Sequence, residues 1–153
     1  MEVKSPIIES HILRKSFSSL EFLLLKRSEN EKYPGVWQMV TGSISEGETG
    51  YQSALREIKE ETGLVPRKFW AVPNVNLFYW PEEDQMCVVP VFAGLVNEDE
   101  EVVISGEHSE YKWVKKDEAI RLLAWPGQRK SVEIINDYFT ADQNFLKFVE
   151  IQV

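Results

Sequence analysis

The stretch GSISEGETGYQSALREIKEETGL, residues 42–64, combines the signals that begin and end a helix with a dense group of charges. Thr49 and Gln52 have the spacing of a capping box, which satisfies the first turn of a helix. Gly63 can adopt the left-handed conformation that often follows the last turn. These signals predict a helix over Gly50–Thr62.

Three glutamates of this helix, Glu57, Glu60 and Glu61, lie within roughly 100° of one another when residues are set about 100° apart. They flank the apolar stripe, at the margin where a helix meets the next layer. Arg56 reaches Glu60 at i,i+4 and can orient it. An ordinary solvated face with helical ion pairs is one interpretation. Carboxylates on one face repel one another without a cation, however, and oxygen ligands select a hard ion such as Mg²⁺ or Mn²⁺.

The same stretch resembles the Nudix box, G-x5-E-x7-R-E-U-x-E-E-x-G-U, in which U is a bulky aliphatic residue. Every specified position is matched, by Gly42, Glu48, Arg56, Glu57, Ile58, Glu60, Glu61, Gly63 and Leu64. The resemblance implies the Nudix fold, a mixed α/β/α sandwich of the α+β class. It also implies a metal-dependent enzyme that hydrolyses the pyrophosphate linkage of a nucleoside diphosphate joined to another group.

The resemblance further implies the site residues. The expected metal site comprises Gly42, Glu48, Glu57, Glu60, Glu61 and Glu107. The expected catalytic residues are Arg56, Glu57, Glu60, Glu61 and Glu107. In this family a glutamate of a downstream loop often serves as general base or additional ligand, and Glu107 is favoured over Glu110 because it follows Gly106 at a loop tip. The alternative for Glu107 is an ordinary solvated loop glutamate.

Two segments outside the box, WQMVTGS (37–43) and EHSEYKWV (107–114), resemble the dihydroneopterin triphosphate diphosphatase branch. That branch also hydrolyses nucleoside triphosphates, so the expected products are a monophosphate and pyrophosphate. The expected substrate-binding residues are Lys4, Arg27, Trp37, Thr41 and Tyr79. Trp37 and Tyr79 are included because aromatic rings can stack on a flat heterocycle.

Two alternatives to this function stay open at the level of sequence. A dinucleoside polyphosphate hydrolase would also suit the EHSEYKWV element and an aromatic residue such as Tyr79 some distance after the box. A Nudix-fold nucleotide-binding module without turnover is the third hypothesis. It is disfavoured because Glu57, Glu60 and Glu61 are all present.

Composition restricts the remaining classes of function. The 153 residues suit one domain over 1–153, and the net charge of -8 disfavours non-specific binding to nucleic acid. Cys87 is the only cysteine, which excludes an intrachain disulfide. The longest apolar run near the N-terminus, FLLL at 22–25, is too short to span a bilayer. We therefore expect a cytoplasmic protein that needs no membrane. The resemblance to the Nudix box implies a small nucleotide-like substrate, and a homodimer stays open.

Hydrophobic patterning predicts a mixed sheet flanked by helices. The predicted strands are Pro6–Leu13, Leu20–Lys26, Val36–Val40, Phe69–Phe78, Met86–Val96 and Tyr111–Val114. Besides Gly50–Thr62, the predicted helices are Asp117–Leu123 and Ser131–Phe139. The C-terminal FLKFVEIQV (145–153) is a candidate for one more strand.

Overall fold

The computed structural model describes residues 1–153 as one mixed sheet with helices on both faces. The strands are β1 (Glu2–Lys4), β2 (Ile7–Ser16), β3 (Ser19–Arg27), β4 (Trp37–Gln38), β5 (Val40–Ser43), β6 (Lys68–Trp80), β7 (Gln85–Leu95), β8 (His108–Val114) and β9 (Glu150–Ile151). The helices are α1 (Gly50–Thr62), α2 (Lys116–Leu122), α3 (Pro126–Thr140) and α4 (Leu146–Val149). Two 3₁₀ turns occupy Pro81–Glu83 and Gln143–Phe145.

The strand order is β4-β3-β2-β7-β6-β9, and β5, β8 and β1 pair with β2, β3 and β7, respectively. β2 runs parallel to β7 and antiparallel to β3, so the sheet is mixed, as the sequence predicts. The pairing of β5 with β2 sets Gly42 opposite Ile8. The pairing of β3 with β8 sets Arg27 opposite His108. These two registers bring the box and the loop before β8 to the same part of the molecule.

Each face of the sheet has its own core. Phe22 and Leu24 of β3 belong to the core that α2 and α3 cover, whereas Leu23 and Leu25 belong to the core under α1. Successive side chains of a strand point to opposite faces, so a strand buried on both sides reads as a continuous apolar run. This explains the FLLL run.

α1 begins and ends where its sequence predicts. The Thr49 hydroxyl accepts a hydrogen bond from the backbone of Gln52, whose side chain accepts one from the backbone of Thr49. Gly63 follows the helix with φ of 75°, in the left-handed region. Both ends are set by contacts within three or four residues, which makes them visible in the sequence.

Other boundaries differ from the sequence prediction. The predicted strand Val36–Val40 is divided into β4, which pairs with β3, and β5, which pairs with β2, and the fully buried Met39 lies between them. α3 begins at Pro126, five residues before the predicted Ser131, since proline suits the first turn of a helix. The prediction of a C-terminal strand is wrong for most of 145–153, where α4 precedes the two residues of β9. No helix has both the length and the apolar character needed to cross a membrane.

The buried His11 gives a prediction for stability. Its ring is fully buried with its edge against Phe22, neither ring nitrogen has a hydrogen-bond partner, and burial lowers its pKa to about 3. Between pH 6.5 and pH 3, His11 is therefore protonated in the unfolded chain but neutral in the native protein. For this reason His11 lowers the free energy of unfolding as the pH falls from 6.5 towards 3. We expect His11→Leu to stabilise the protein by about 2 kcal/mol more at pH 5 than at pH 7.5.

Urea unfolding of both proteins at the two pH values measures this difference. An equal effect of His11→Leu at pH 5 and pH 7.5 would show that the ring takes up a proton in the native state.

Candidate active site

The loop of the box is tied to α1 by Arg56. Its Nε donates to Oε1 of Glu48 at 2.9 Å, and the Ser53 hydroxyl donates to Oε2 of the same carboxylate at 2.9 Å. Its Nη2 donates to the Ser43 carbonyl at 3.0 Å and to the Ser45 hydroxyl at 3.1 Å. Glu48, which the resemblance places in the expected metal site, thus takes part in fixing the loop to the helix.

Arg56 also orients two of the three clustered glutamates. Its Nη1 donates to Oε1 of Glu57 at 2.9 Å and to Oε2 of Glu60 at 3.3 Å. The hydrogen bond to Glu57 raises the pKa of Arg56 further, so the guanidinium stays charged. The Glu57 side chain is 15% exposed and the Glu60 side chain 58%. Glu57 therefore faces the interior of the site, and Glu60 lies at its rim.

Gly42 lies directly beneath Glu57. A Cβ atom at this position would lie 2.6 Å from Oε1 of Glu57 and closer still to its Cγ and Cδ. The Glu57 side chain therefore crosses the strand at a point where only a glycine leaves room for it.

Glu61 is the most deeply buried of the three clustered glutamates. It is only 2% exposed, and neither carboxylate oxygen accepts a hydrogen bond. Burial first, and then the neighbouring carboxylate of Glu57, raises its pKa to about 10. The nearest basic atom is Nδ1 of His108, 3.8 Å from Oε1. An ionised carboxylate buried without a donor is costly, so Glu61 ionises at neutral pH only with a positive charge beside it.

Glu107 reaches the same region from the loop before β8. The loop is held to the end of β3 by Ser28, whose backbone N–H donates to the Glu107 carbonyl at 2.9 Å and whose hydroxyl donates to the Gly106 carbonyl at 2.8 Å. Although Glu107 is exposed, partial desolvation and the charges of Glu31 and Glu57 raise its pKa. Its carboxylate therefore feels the same negative field as the glutamates of α1.

The donor set of this site fits a hard divalent cation. Glu57, Glu60, Glu61 and Glu107 offer carboxylate oxygens, which Mg²⁺ and Mn²⁺ prefer. The buried oxygens of Glu61 lack the positive charge that such an ion would provide. No three acidic, histidine or cysteine side chains already converge on one point as ligands of a bound ion do.

The residues expected to bind substrate divide into two groups. Arg27 pairs with His108 across β3 and β8, and His108 adjoins Glu61. From this position its charge lowers the pKa of both Glu61 and Glu107. Thr41 is half-buried on β5. Trp37 packs against the core, and the ammonium groups of Lys26 and Lys112 lie 5.9 Å and 5.2 Å from its ring centre.

Lys4 and Tyr79 form the second group, on either side of the start of β7. Lys4 pairs with Glu2 at 3.2 Å, and the Tyr79 hydroxyl donates to Asp84 at 2.8 Å. Neither forms a hydrogen bond or an ion pair with the box, so the structure does not join them directly to the carboxylate cluster.

Two contacts of the structure are absent from the sequence prediction. Gln38 donates from Nε2 to Nε2 of His108 at 3.1 Å, and His108 adjoins Glu61. The loop that follows β3 brings Tyr33 edge-to-face against Trp125, with ring centres 5.7 Å apart. Gln38 meets His108 through the pairing of β4 and β8 with β3, whereas Tyr33 and Trp125 lie in two loops. No periodicity in the sequence predicts either contact.

Comparison with known proteins agrees with the geometry. The family model described as NUDIX domain matches residues 12–135. The chain therefore belongs to the Nudix family and is a pyrophosphohydrolase. Nudix hydrolases generally use divalent metal ions.

Three relatives illustrate the range of similarity. The asymmetrical bis(5'-nucleosyl)-tetraphosphatase of Caenorhabditis elegans is 33% identical over 113 residues, which cover 72% of this chain and 79% of that protein. The corresponding protein of Rattus norvegicus is 28% identical over 83% of this chain and 86% of its own length. The E. coli dihydroneopterin triphosphate pyrophosphohydrolase superposes with a TM-score of 0.72 at 25% identity, over 88% of this chain and 94% of that one.

Proposed function

We propose that this protein hydrolyses a pterin or nucleoside triphosphate to a monophosphate and pyrophosphate, with Mg²⁺ or Mn²⁺ as cofactor. The supporting observation is the buried Glu61, whose two oxygens have no donor beside the carboxylates of Glu57 and Glu107. A structural role alone would favour a glutamine or an apolar side chain at such a position. The proposed cation offsets this charge and that of the polyphosphate.

The chain's own residues have separate roles in this proposal. Glu57 and Glu61 would hold the metal, with Glu60 at the rim and Glu107 approaching from the loop. When bound, the ion supplies Lewis-acid stabilisation of phosphate charge and lowers the pKa of the attacking water. Arg56 keeps Glu57 oriented through the 2.9 Å hydrogen bond. Glu107, whose pKa is raised, takes the proton of the attacking water at its carboxylate.

Two further groups place the substrate. Arg27, beside the carboxylates, contacts the polyphosphate, and Thr41 and Lys4 extend that contact. The heterocycle stacks on aromatic rings near this end of the sheet. Candidates are the expected Trp37 and Tyr79, and also the exposed pair of Tyr33 and Trp125. The likeness to the E. coli dihydroneopterin triphosphate pyrophosphohydrolase supports a flat base joined to a triphosphate.

A second candidate is hydrolysis of dinucleoside tetraphosphates. It is supported by the tetraphosphatases of C. elegans and R. norvegicus, which align over 72% and 83% of this chain. The same carboxylates would serve both reactions, so the choice depends on what holds the far end of the polyphosphate.

The proposed cleavage site predicts the products. Followed by ³¹P NMR in Mg²⁺, a triphosphate should give pyrophosphate first. Dihydroneopterin triphosphate and purine triphosphates should be hydrolysed about tenfold or more faster than inorganic triphosphate, since stacking contributes about 1–3 kcal/mol per base. The same reactions in excess chelator should stop.

Three outcomes would change this proposal. Orthophosphate as the first product would refute the cleavage site. Faster conversion of diadenosine tetraphosphate to ATP and AMP would favour the second candidate. Full turnover in excess chelator would exclude the metal.

The proposed partner is a small molecule, since a net charge of -8 disfavours a nucleic-acid backbone. The cytoplasmic location and the homodimer remain predictions, which cell fractionation and light scattering coupled to size-exclusion chromatography would test.

A further inference from the structure

A line of three polar side chains leads from the end of β3 to Glu61. Nη1 of Arg27 donates to Oε1 of Gln38 at 3.4 Å, and Nε2 of Gln38 donates to Nε2 of His108 at 3.1 Å. Nδ1 of His108 then faces Oε1 of Glu61 at 3.8 Å. Gln38, His108 and Glu61 are all buried. The line therefore runs through the interior, where water competes little for these contacts.

This arrangement fixes which nitrogen of His108 bears the proton. Arg27 has only donors, so the atom of Gln38 that meets it must be the amide oxygen. The amide N–H of Gln38 then points to Nε2 of His108, which must accept. A neutral imidazole that accepts at Nε2 carries its proton on Nδ1, the atom that faces Glu61.

The pair of Glu61 and His108 is incomplete by itself. Nδ1 of His108 and both oxygens of Glu61 have no hydrogen-bond partner. Their separation of 3.8 Å exceeds a hydrogen bond, which for an N–H donor and an oxygen acceptor is about 2.7–3.2 Å long. Buried polar atoms seldom remain unpaired, and catalytic contacts are often long before the site is loaded.

We propose that His108 is a positioning residue for Glu61, and that Gln38 and Arg27 set its donor towards the carboxylate. The N–H at Nδ1 restrains one oxygen of Glu61, which leaves the other oxygen directed to the metal. This inference rests on the proposed role of Glu61 as a metal ligand. Groups that orient a metal ligand in this way typically change metal affinity or activity by about 10- to 100-fold.

Two amide substitutions distinguish the contribution of Nδ1 of His108 from that of Nε2. His108→Asn places an amide near the position of Nδ1 and can still donate to Glu61. His108→Gln places its amide near the position of Nε2 and leaves Glu61 without a donor. Both variants are polar and neutral, so they differ mainly in which ring nitrogen they replace.

The measurements are the Mn²⁺ dissociation constant, by electron paramagnetic resonance without nucleotide, and kcat and KM at saturating metal. We expect His108→Gln to weaken Mn²⁺ binding and lower kcat by about 10- to 100-fold, with KM nearly unchanged. His108→Asn should keep the Mn²⁺ dissociation constant and kcat within a few-fold of the wild-type values. Gln38→Leu removes the hydrogen bond to Nε2 of His108. It should therefore change the Mn²⁺ dissociation constant and kcat as His108→Gln does.

Gln85→Leu is the matched control, because Gln85 is as buried as Gln38 but contacts Cys87 on β7. It should leave Mn²⁺ affinity and kcat unchanged. Equal values for His108→Asn and His108→Gln, or unchanged Mn²⁺ affinity in both, would overturn the inference.

The wild-type protein tells the two hypotheses apart. If it neither binds Mn²⁺ nor hydrolyses any phosphoanhydride, the proposed function fails. If it does both and His108→Gln matches it, only the role of His108 fails. Should His108→Gln not fold, Gln38→Leu decides the outcome on the same two measurements.

Discussion

Replacing Glu61 with glutamine is expected to lower kcat by about a hundred- to a thousand-fold and to raise the melting temperature of the metal-free protein. The change keeps the size of the side chain and removes only its charge. Glu61 is buried beside Glu57, so the loss of charge removes a proposed metal ligand from the most enclosed part of the site. If this ligand acts in the transition state, kcat/KM falls with kcat.

The increase in stability follows from the same burial. The unfolded chain ionises Glu61 at its ordinary pKa of 4.5, whereas burial and Glu57 raise the native pKa to about 10. A group with a raised native pKa stabilises the fold below the unfolded pKa, and this contribution is lost as the pH rises. Without metal, the wild-type protein should therefore become less stable from pH 5 to pH 9 relative to Glu61→Gln.

Thermal unfolding in chelator and in Mg²⁺ measures this effect, with Glu60→Gln as the control. Glu60 lies at the exposed rim, so Glu60→Gln should leave the metal-free melting temperature nearly unchanged. Mg²⁺ should stabilise the wild-type protein more than Glu61→Gln, because binding to the native state alone raises stability. A fully active Glu61→Gln variant with an unchanged melting temperature would contradict the assignment of Glu61 to the site.

Two buried polar residues of the candidate site lower the stability of the metal-free fold. An unpaired buried carboxylate, Glu61, adjoins a buried histidine whose pKa is lowered to about 4 by burial and by Arg27. Residues chosen for stability alone would be apolar or fully hydrogen-bonded. Local rules tend to be broken at functional sites, where binding of a ligand completes the interactions.

The sequence predicts those parts of the site whose contacts are local. The capping box of Thr49 and Gln52 and the left-handed Gly63 define α1 within one turn at each end. The hydrogen bond from Arg56 to Glu60 is an i,i+4 contact that helical periodicity predicts. The resemblance to the Nudix box adds the identity of the family, which the match over residues 12–135 confirms.

The remaining parts depend on strand pairing that no local pattern encodes. Gln38 meets His108 because β4 and β8 both pair with β3, at residues far apart in sequence. β1 pairs with β7 across more than eighty residues and has no strong strand signal of its own. The contact between Tyr33 and Trp125 likewise joins two loops. Periodicity reports which side of an element is buried, but not which element covers it.

Gly42 is a specified position of the Nudix box, and the structure shows why this position requires glycine. The resemblance places this glycine in the expected metal site. The structure places the side chain of Glu57 against this glycine, so that an added Cβ would collide with Cγ, Cδ and Oε1 of Glu57. Its backbone has no left-handed φ, and space rather than conformation is therefore what requires glycine.

Gly42→Ala is consequently expected to reduce kcat about as much as Glu57→Gln does, by about a hundredfold, with little change in melting temperature. The colliding atoms all belong to the side chain of Glu57 and none to the backbone, so Glu57 should rotate away while β5 and α1 stay in place. The movement breaks the 2.9 Å hydrogen bond with Arg56 and withdraws the carboxylate from the site. Steady-state kinetics in Mg²⁺ and thermal unfolding measure the two effects.

The control and the double variant make this prediction specific to Glu57. Gly50 begins α1, and a Cβ there would meet only Cζ of Phe92 at 3.9 Å, an ordinary contact. Gly50→Ala should keep full activity and, because alanine favours helix, equal or greater stability. If Gly42 acts only through Glu57, adding Gly42→Ala to Glu57→Gln should cost almost nothing further, since changes in one interaction are not additive. Fully additive losses would instead mean that the backbone at Gly42 contributes to the reaction independently of Glu57.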